Sequence, residues 1–159
     1  MKKSGKLTAG AVAACIAALI TLAALIVYQV NIGAEGYFKG ASVSNLIFFS
    51  ILAIAMYLVV ILLSTISLNG AADTCRYLVI GLLQIGAPVL TAYCLIQLIA
   101  ARVEGLGFIY FSNADVTLEV QTAENLSSSK MAIASMVLYG IALVVGLAAA
   151  FFSLRKKEK

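Results

Sequence analysis

Four stretches of this chain contain no Asp, Glu, Lys or Arg: residues 7–30, 46–68, 77–101 and 131–154, with lengths of 24, 23, 25 and 24. A helix needs roughly 20 apolar residues to cross the hydrocarbon core of a bilayer, so each run is long enough for one crossing. Only 11% of the 159 residues are charged and 63% are hydrophobic, with a mean hydropathy of +1.06. A soluble domain carries about 25% charged residues, and half that share leaves too little polar surface for a water-soluble globule. Membrane β-strands would instead recur as segments of about 10 residues with alternating polarity, which are not seen here. The sequence therefore predicts an all-α membrane protein, a four-transmembrane-helix bundle forming one integral domain over 1–159. Outer loops cover residues 31–45 and 102–130, and an inner link covers 69–76.

Orientation follows from the basic residues. With four crossings, both termini share a side with the inner link, and that side holds Lys2, Lys3, Lys6, Arg76, Arg155, Lys156, Lys157 and Lys159. The opposite side holds Lys39, Arg102 and Lys130. Eight against three predicts cytoplasmic termini. Including the acids, the inner side carries +6 and the outer side −2, which reproduces the net charge of +4. The basic ends are topology anchors facing anionic headgroups, and no nucleic acid is needed to explain them. The start, with Val12-Ala13-Ala14-Cys15, has the look of a lipoprotein cleavage box, but the apolar run continues well past Cys15. It is also longer than the about 7–15 apolar residues of a signal peptide. We read it as an uncleaved first span.

The three cysteines are Cys15, Cys75 and Cys94, none of them in an outer loop, so no disulfide is expected to brace the outer side. There is no histidine and no Cys-x-x-Cys. The usual zinc and haem ligand sets are thus missing, and neither a metal nor another cofactor is expected.

Small residues at four-residue steps let helices approach closely. Span one has Ala9, Ala13 and Ala17, continued by Thr21; span four has Ala142, Gly146 and Ala150, continued outward by Tyr139 and Ser135. These are the predicted packing rows. In span three, Tyr77, Gly81, Gln84, Pro88 and Thr91 recur at alternating steps of four and three, which puts them on one face. Polar side chains avoid hydrocarbon, so Gln84, Pro88 and Thr91 should point into the bundle, and Pro88 should bend the helix. Asp73 and Arg76 are spaced for a helical ion pair, with Arg76 read as an interfacial anchor. The short inner link makes spans two and three antiparallel neighbours.

The only long polar segment is 102–130. Residues 107–111 form a β-prone aromatic run, Ser112-Asn113-Ala114-Asp115 offers turn chemistry, and Val116, Leu118 and Val120 alternate with polar residues. The expectation is a small outward-facing β-hairpin cap, strands about 107–111 and 116–121, between helices 3 and 4. The alternative lays 108–111 in the membrane interface. Tyr37 and Phe38 of the first outer loop suit the headgroup belt, which we favour, or contact with the cap. Asn125-Leu126-Ser127 matches a three-residue glycosylation sequon, a pattern common by chance.

No paired carboxylates, Ser–Lys pair or nucleotide-binding glycine loop stands in the spans, so an enzyme is not expected. Outside them, Arg102, Glu104, Asp115 and Glu119 could converge on a folded cap and form an interaction site for a cation or polar ligand; surface charge with one salt bridge is the plainer reading. The chain's expected partners are the lipid bilayer and another membrane protein or further copies of itself. Two functions remain: a non-catalytic accessory or assembly subunit, or a small transporter or channel built on the Gln84–Pro88–Thr91 face. A membrane enzyme using the outer carboxylates is a distant third. The layout resembles that of tetraspanins, in topology alone, because their Cys-Cys-Gly motif and paired loop cysteines are missing. Lysine-rich ends and cysteine-free outer loops suit a bacterial plasma membrane.

Overall fold

The computed structural model describes residues 8–66 and 70–152. The basic residues Lys2, Lys3 and Lys6, the far ends of spans two and four, Asn69 of the inner link and the basic tail at 155–159 lie outside the described residues. Five helices follow in order: α1 (Ala9–Gly33), α2 (Leu46–Thr65), α3 (Ala71–Phe111), α4 (Ala114–Val120) and α5 (Ala123–Phe151). Four of them, α1, α2, α3 and α5, are long and apolar enough to cross a membrane. Each of the four packs chiefly on two others, giving a closed ring in the order α1–α2–α3–α5 with antiparallel neighbours.

The buried residues explain how these helices mate. On α5 the buried residues, Ser129 apart, are Ser128, Ala132, Ser135, Tyr139, Ala142, Gly146 and Ala149, at alternating steps of four and three. On α1 the same rhythm runs through Gly10, Ala14, Ala17, Thr21, Ala24, Tyr28 and Asn31. On α2 it runs through Leu46, Ser50, Ala53, Tyr57 and Val60. A buried repeat averaging 3.5 residues, slightly under the helical 3.6, makes helices wrap with left-handed knobs-into-holes packing. The expected rows at strict four-residue steps therefore drift off the seam. Ala17, Ala142 and Gly146 are buried, but Ala13 and Ala150 are only half-buried and Ala9 is exposed; Ala14 and Ala149 take their places.

The outer segment corrects the expected β-hairpin: among the described residues there is no strand. Instead α3 continues to Phe111, α4 adds two turns, and α5 begins at Ala123. Elongating an existing helix gains one hydrogen bond per residue ordered, whereas a hairpin must nucleate afresh and is marginal alone. The segment also contains helix starts. Asn113 Oδ1 accepts from Val116 N at 3.1 Å and Thr122 Oγ1 from Asn125 N at 3.2 Å, capping α4 and α5. Gln121 Nε2 donates to Ile109 O at 3.0 Å and ties the end of α4 back onto α3. The period-two alternation over 116–121 was misleading because α4 buries no residue at all. α3, uninterrupted through Pro88, has 41 residues. Its length is about 62 Å, against about 40–45 Å for a bilayer with its headgroups.

Candidate functional site

The predicted interior face of α3 is where the sequence placed it. Gln84, Pro88 and Thr91 are all buried, and the Gln84 and Thr91 side chains each donate a hydrogen bond within the bundle. Gln84 Nε2 donates to Ala149 O of α5 at 3.2 Å, and Thr91 Oγ1 donates to Ala87 O at 3.0 Å. Pro88 and the Tyr57 hydroxyl of α2 close on Gly146 of α5, where any added Cβ would collide with the hydroxyl. That hydroxyl stands beside Thr91 but makes no hydrogen bond.

One turn further out, a relay of donors crosses three helices. The Tyr139 and Ser50 hydroxyls are 2.7 Å apart, Ser50 Oγ reaches Cys94 Sγ at 3.5 Å, and Cys94 Sγ reaches Leu46 O at 3.7 Å. If Tyr139 donates to Ser50, each hydrogen in this chain meets an acceptor. Ser135 Oγ adds a bond to Ala24 O of α1 at 3.0 Å. The interior thus uses short polar side chains as interhelical ties.

At the outer end the structure separates the four residues expected to converge. Arg102 is 2% exposed and turns inward, whereas Glu104, Asp115 and Glu119 are exposed. Two residues along a helix is roughly 200° of rotation, so Glu104 faces away from Arg102. Among the described residues Arg102 has no carboxylate partner. Its Nη2 donates to Ala41 O at 2.5 Å, and its guanidinium lies 4.6 Å from the Phe38 ring centroid and 5.9 Å from that of Tyr28. Arg102 therefore fastens the first outer loop, rather than forming an acidic site.

Other side chains, missed from sequence, fasten the same loop. The Tyr28 hydroxyl accepts from Val43 N at 2.6 Å, and Ser128 Oγ accepts from Phe38 N at 3.3 Å while donating to Asn31 Oδ1 at 2.9 Å. Gly36 lies on Glu124 O and Ser128, with a positive φ of 133° that favours glycine. Gly105 lies beneath the rings of Tyr37 and Phe38. Phe38 is 2% exposed, so it belongs to the cap contact rather than to the headgroup belt. Apart from Tyr28 to Val43, which spans 15 positions, the contacts join residues 60 to 100 positions apart, which no local pattern reveals.

At the inner end the Asp73–Arg76 ion pair forms, at 2.6 Å. Arg76 does more than anchor: Nη1 donates to Leu63 O at 3.1 Å and to Ile66 O, closing carbonyls left open at the end of α2. An apolar groove of about 340 Å³ lies beside it, lined by Leu63, Ala72, Cys75, Arg76 and Val79. Among the described residues, no group of three or more His, Cys, Asp or Glu could hold a metal ion.

Fold and interior together define a class, a small multi-pass helical membrane protein with a hydrogen-bonded bundle core and a pinned outer loop. No protein-family model, no curated protein and no solved structure matches the chain.

Proposed function

We propose that this protein is a non-catalytic accessory or assembly subunit that binds other membrane proteins, residing in a bacterial plasma membrane with both termini in the cytoplasm. What carries this reading is the fate of the polar side chains within the spans. Gln84, Ser50, Tyr139, Cys94 and Ser135 all bond across to a neighbouring helix of the bundle. Side chains engaged in this way hold helices together and are not available to pass or transform a substrate. The experiment is mild-detergent purification from native membranes followed by crosslinking. A discrete, stoichiometric partner supports the reading, and a chain that remains alone counts against it. A reporter fused after Lys159 that proved accessible from outside would overturn the orientation.

A small transporter or channel is the second reading, favoured by one observation: the Tyr57 hydroxyl is buried beside Pro88 and Thr91 without a hydrogen bond. Flux through reconstituted vesicles that changes on Gln84→Leu would favour this reading over the first.

A further inference from the structure

We propose that the overhanging outer tip, formed by the end of α3 and by α4, docks a cationic polypeptide segment that also presents apolar side chains; this rests on the assembly-subunit reading. The tip combines two features. Phe111 and Leu118 are 87% and 85% exposed, and Phe108 is 43% exposed. Around them, residues 103–124 contain Glu104, Asp115, Glu119 and Glu124 with no lysine or arginine. All four carboxylates are exposed, and none forms an ion pair among the described residues.

The helix geometry mixes the two features on the same faces. Glu104, Phe108 and Phe111 follow at steps of four and three along α3, and Asp115 and Glu119 flank Leu118 on one side of α4. Three occupants could cover such a surface. Lipid is disfavoured because sinking Phe108 and Phe111 into hydrocarbon would take the Glu104 carboxylate with them. A second copy is disfavoured because two tips of like charge would face each other. A basic segment with apolar anchors satisfies both features, since the aromatic and leucine side chains supply the buried contact and the carboxylates steer and orient the approach. Past the uncharged run, α3 continues for residues 102–111, about 15 Å of helix, and Phe111 and Leu118 lie beyond the pinned outer loop, whose Tyr37 ring reaches as far as Phe108.

The test places a photoreactive residue at Phe111 or Leu118 in the full-length protein in native membranes, with the exposed Leu82 and Val144 within the spans as comparison sites. The expected result is capture at the tip of a polypeptide whose crosslinked segment, mapped by mass spectrometry, has an excess of lysine and arginine. Combining Glu104→Lys, Asp115→Lys and Glu119→Lys should lower that yield about tenfold, through three exposed pairs lost together. Unchanged thermal melting of the triple variant shows that its fold is intact. A second variant, Phe111→Ser with Leu118→Ser and the crosslinker moved to Tyr110, should lower the yield while leaving all carboxylates in place. Capture of lipid alone, of a second copy, or of a segment without basic excess overturns the proposal. A silent tip with protein captured from Leu82 or Val144 overturns the docking surface and leaves the assembly-subunit reading standing. Silence at all four sites overturns both.

Discussion

Gly105 and Gly107 sit two residues apart in the outer part of α3 and provide a matched pair of substitutions. A Cβ at Gly107 meets nothing within 4 Å, whereas a Cβ at Gly105 would lie 2.6 Å from Tyr37 Cε1, 2.7 Å from Phe38 Cε1 and 3.1 Å from Phe38 Cζ. Tyr37 is 43% exposed and can swing aside, but Phe38 is 2% exposed and held beneath the Arg102 guanidinium. Changing glycine to alanine inside a helix gains about 1 kcal/mol at either site. This gain cancels in the comparison, leaving the overpacking at Gly105, about 1–3 kcal/mol.

The strain falls on the first outer loop, whose Phe38 and Val43 amides donate to Ser128 and Tyr28. Hydrogen exchange of those two amides in nonionic micelles is the assay. Relative to Gly107→Ala, Gly105→Ala should speed their exchange by about 5- to 150-fold, the same free energy expressed as a local opening equilibrium. Equal exchange in the two variants would refute the idea that the loop is clamped onto α3.

Replacing Gln84 with Leu removes the bond to Ala149 O and should cost about 0.6–2 kcal/mol in a detergent melt; an unchanged melting temperature would show that this tie holds nothing. For Ser50→Ala and Tyr139→Phe, a double-mutant cycle should give a coupling of about 0.6 kcal/mol, and purely additive losses would deny the relay between their hydroxyls. Gly146→Val should block assembly of the bundle, because its side chain meets both Tyr57 and Pro88, while Gly140→Ala, with nothing within 4 Å, should fold normally. Circular dichroism and gel filtration of the two variants check this, and a well-folded Gly146→Val protein would contradict the close fit of the Tyr57 and Pro88 side chains on Gly146.

The membrane-crossing helices were legible because hydrocarbon excludes charge, and that exclusion is written in the composition of each run. The inward face of α3 was legible for the same reason. Where the long helices end was not: Arg102 and Glu104 interrupt the apolar run without interrupting the helix, so polarity marks the bilayer and not the end of α3. The signals for α4 and α5 were present in Asn113 and Thr122, whose side chains cap the amides three residues on, but the alternation of Val116, Leu118 and Val120 suggested a different period. Arg102 could not be placed from sequence because its partner is a backbone carbonyl, that of Ala41, in a loop 61 positions away. The packing rows were displaced by one position, Ala149 for Ala150 and Ala14 for Ala13, because a supercoiled seam advances by 3.5 and not by 4.

The distribution of side-chain size also sets how this protein can vary. The seams of α1 and α5 are lined largely by alanine, glycine and serine, with Tyr28, Tyr57 and Tyr139 filling the gaps, while many large aliphatic residues, such as Leu82, Val144 and Leu19, point outward. A water-soluble protein tolerates almost anything on its surface and resists loss of bulk inside. Here the outward positions accept any side chain that dissolves in lipid, and the inward ones resist any gain in bulk, since one extra carbon separates two backbones that have no solvent pressure to bring them together again.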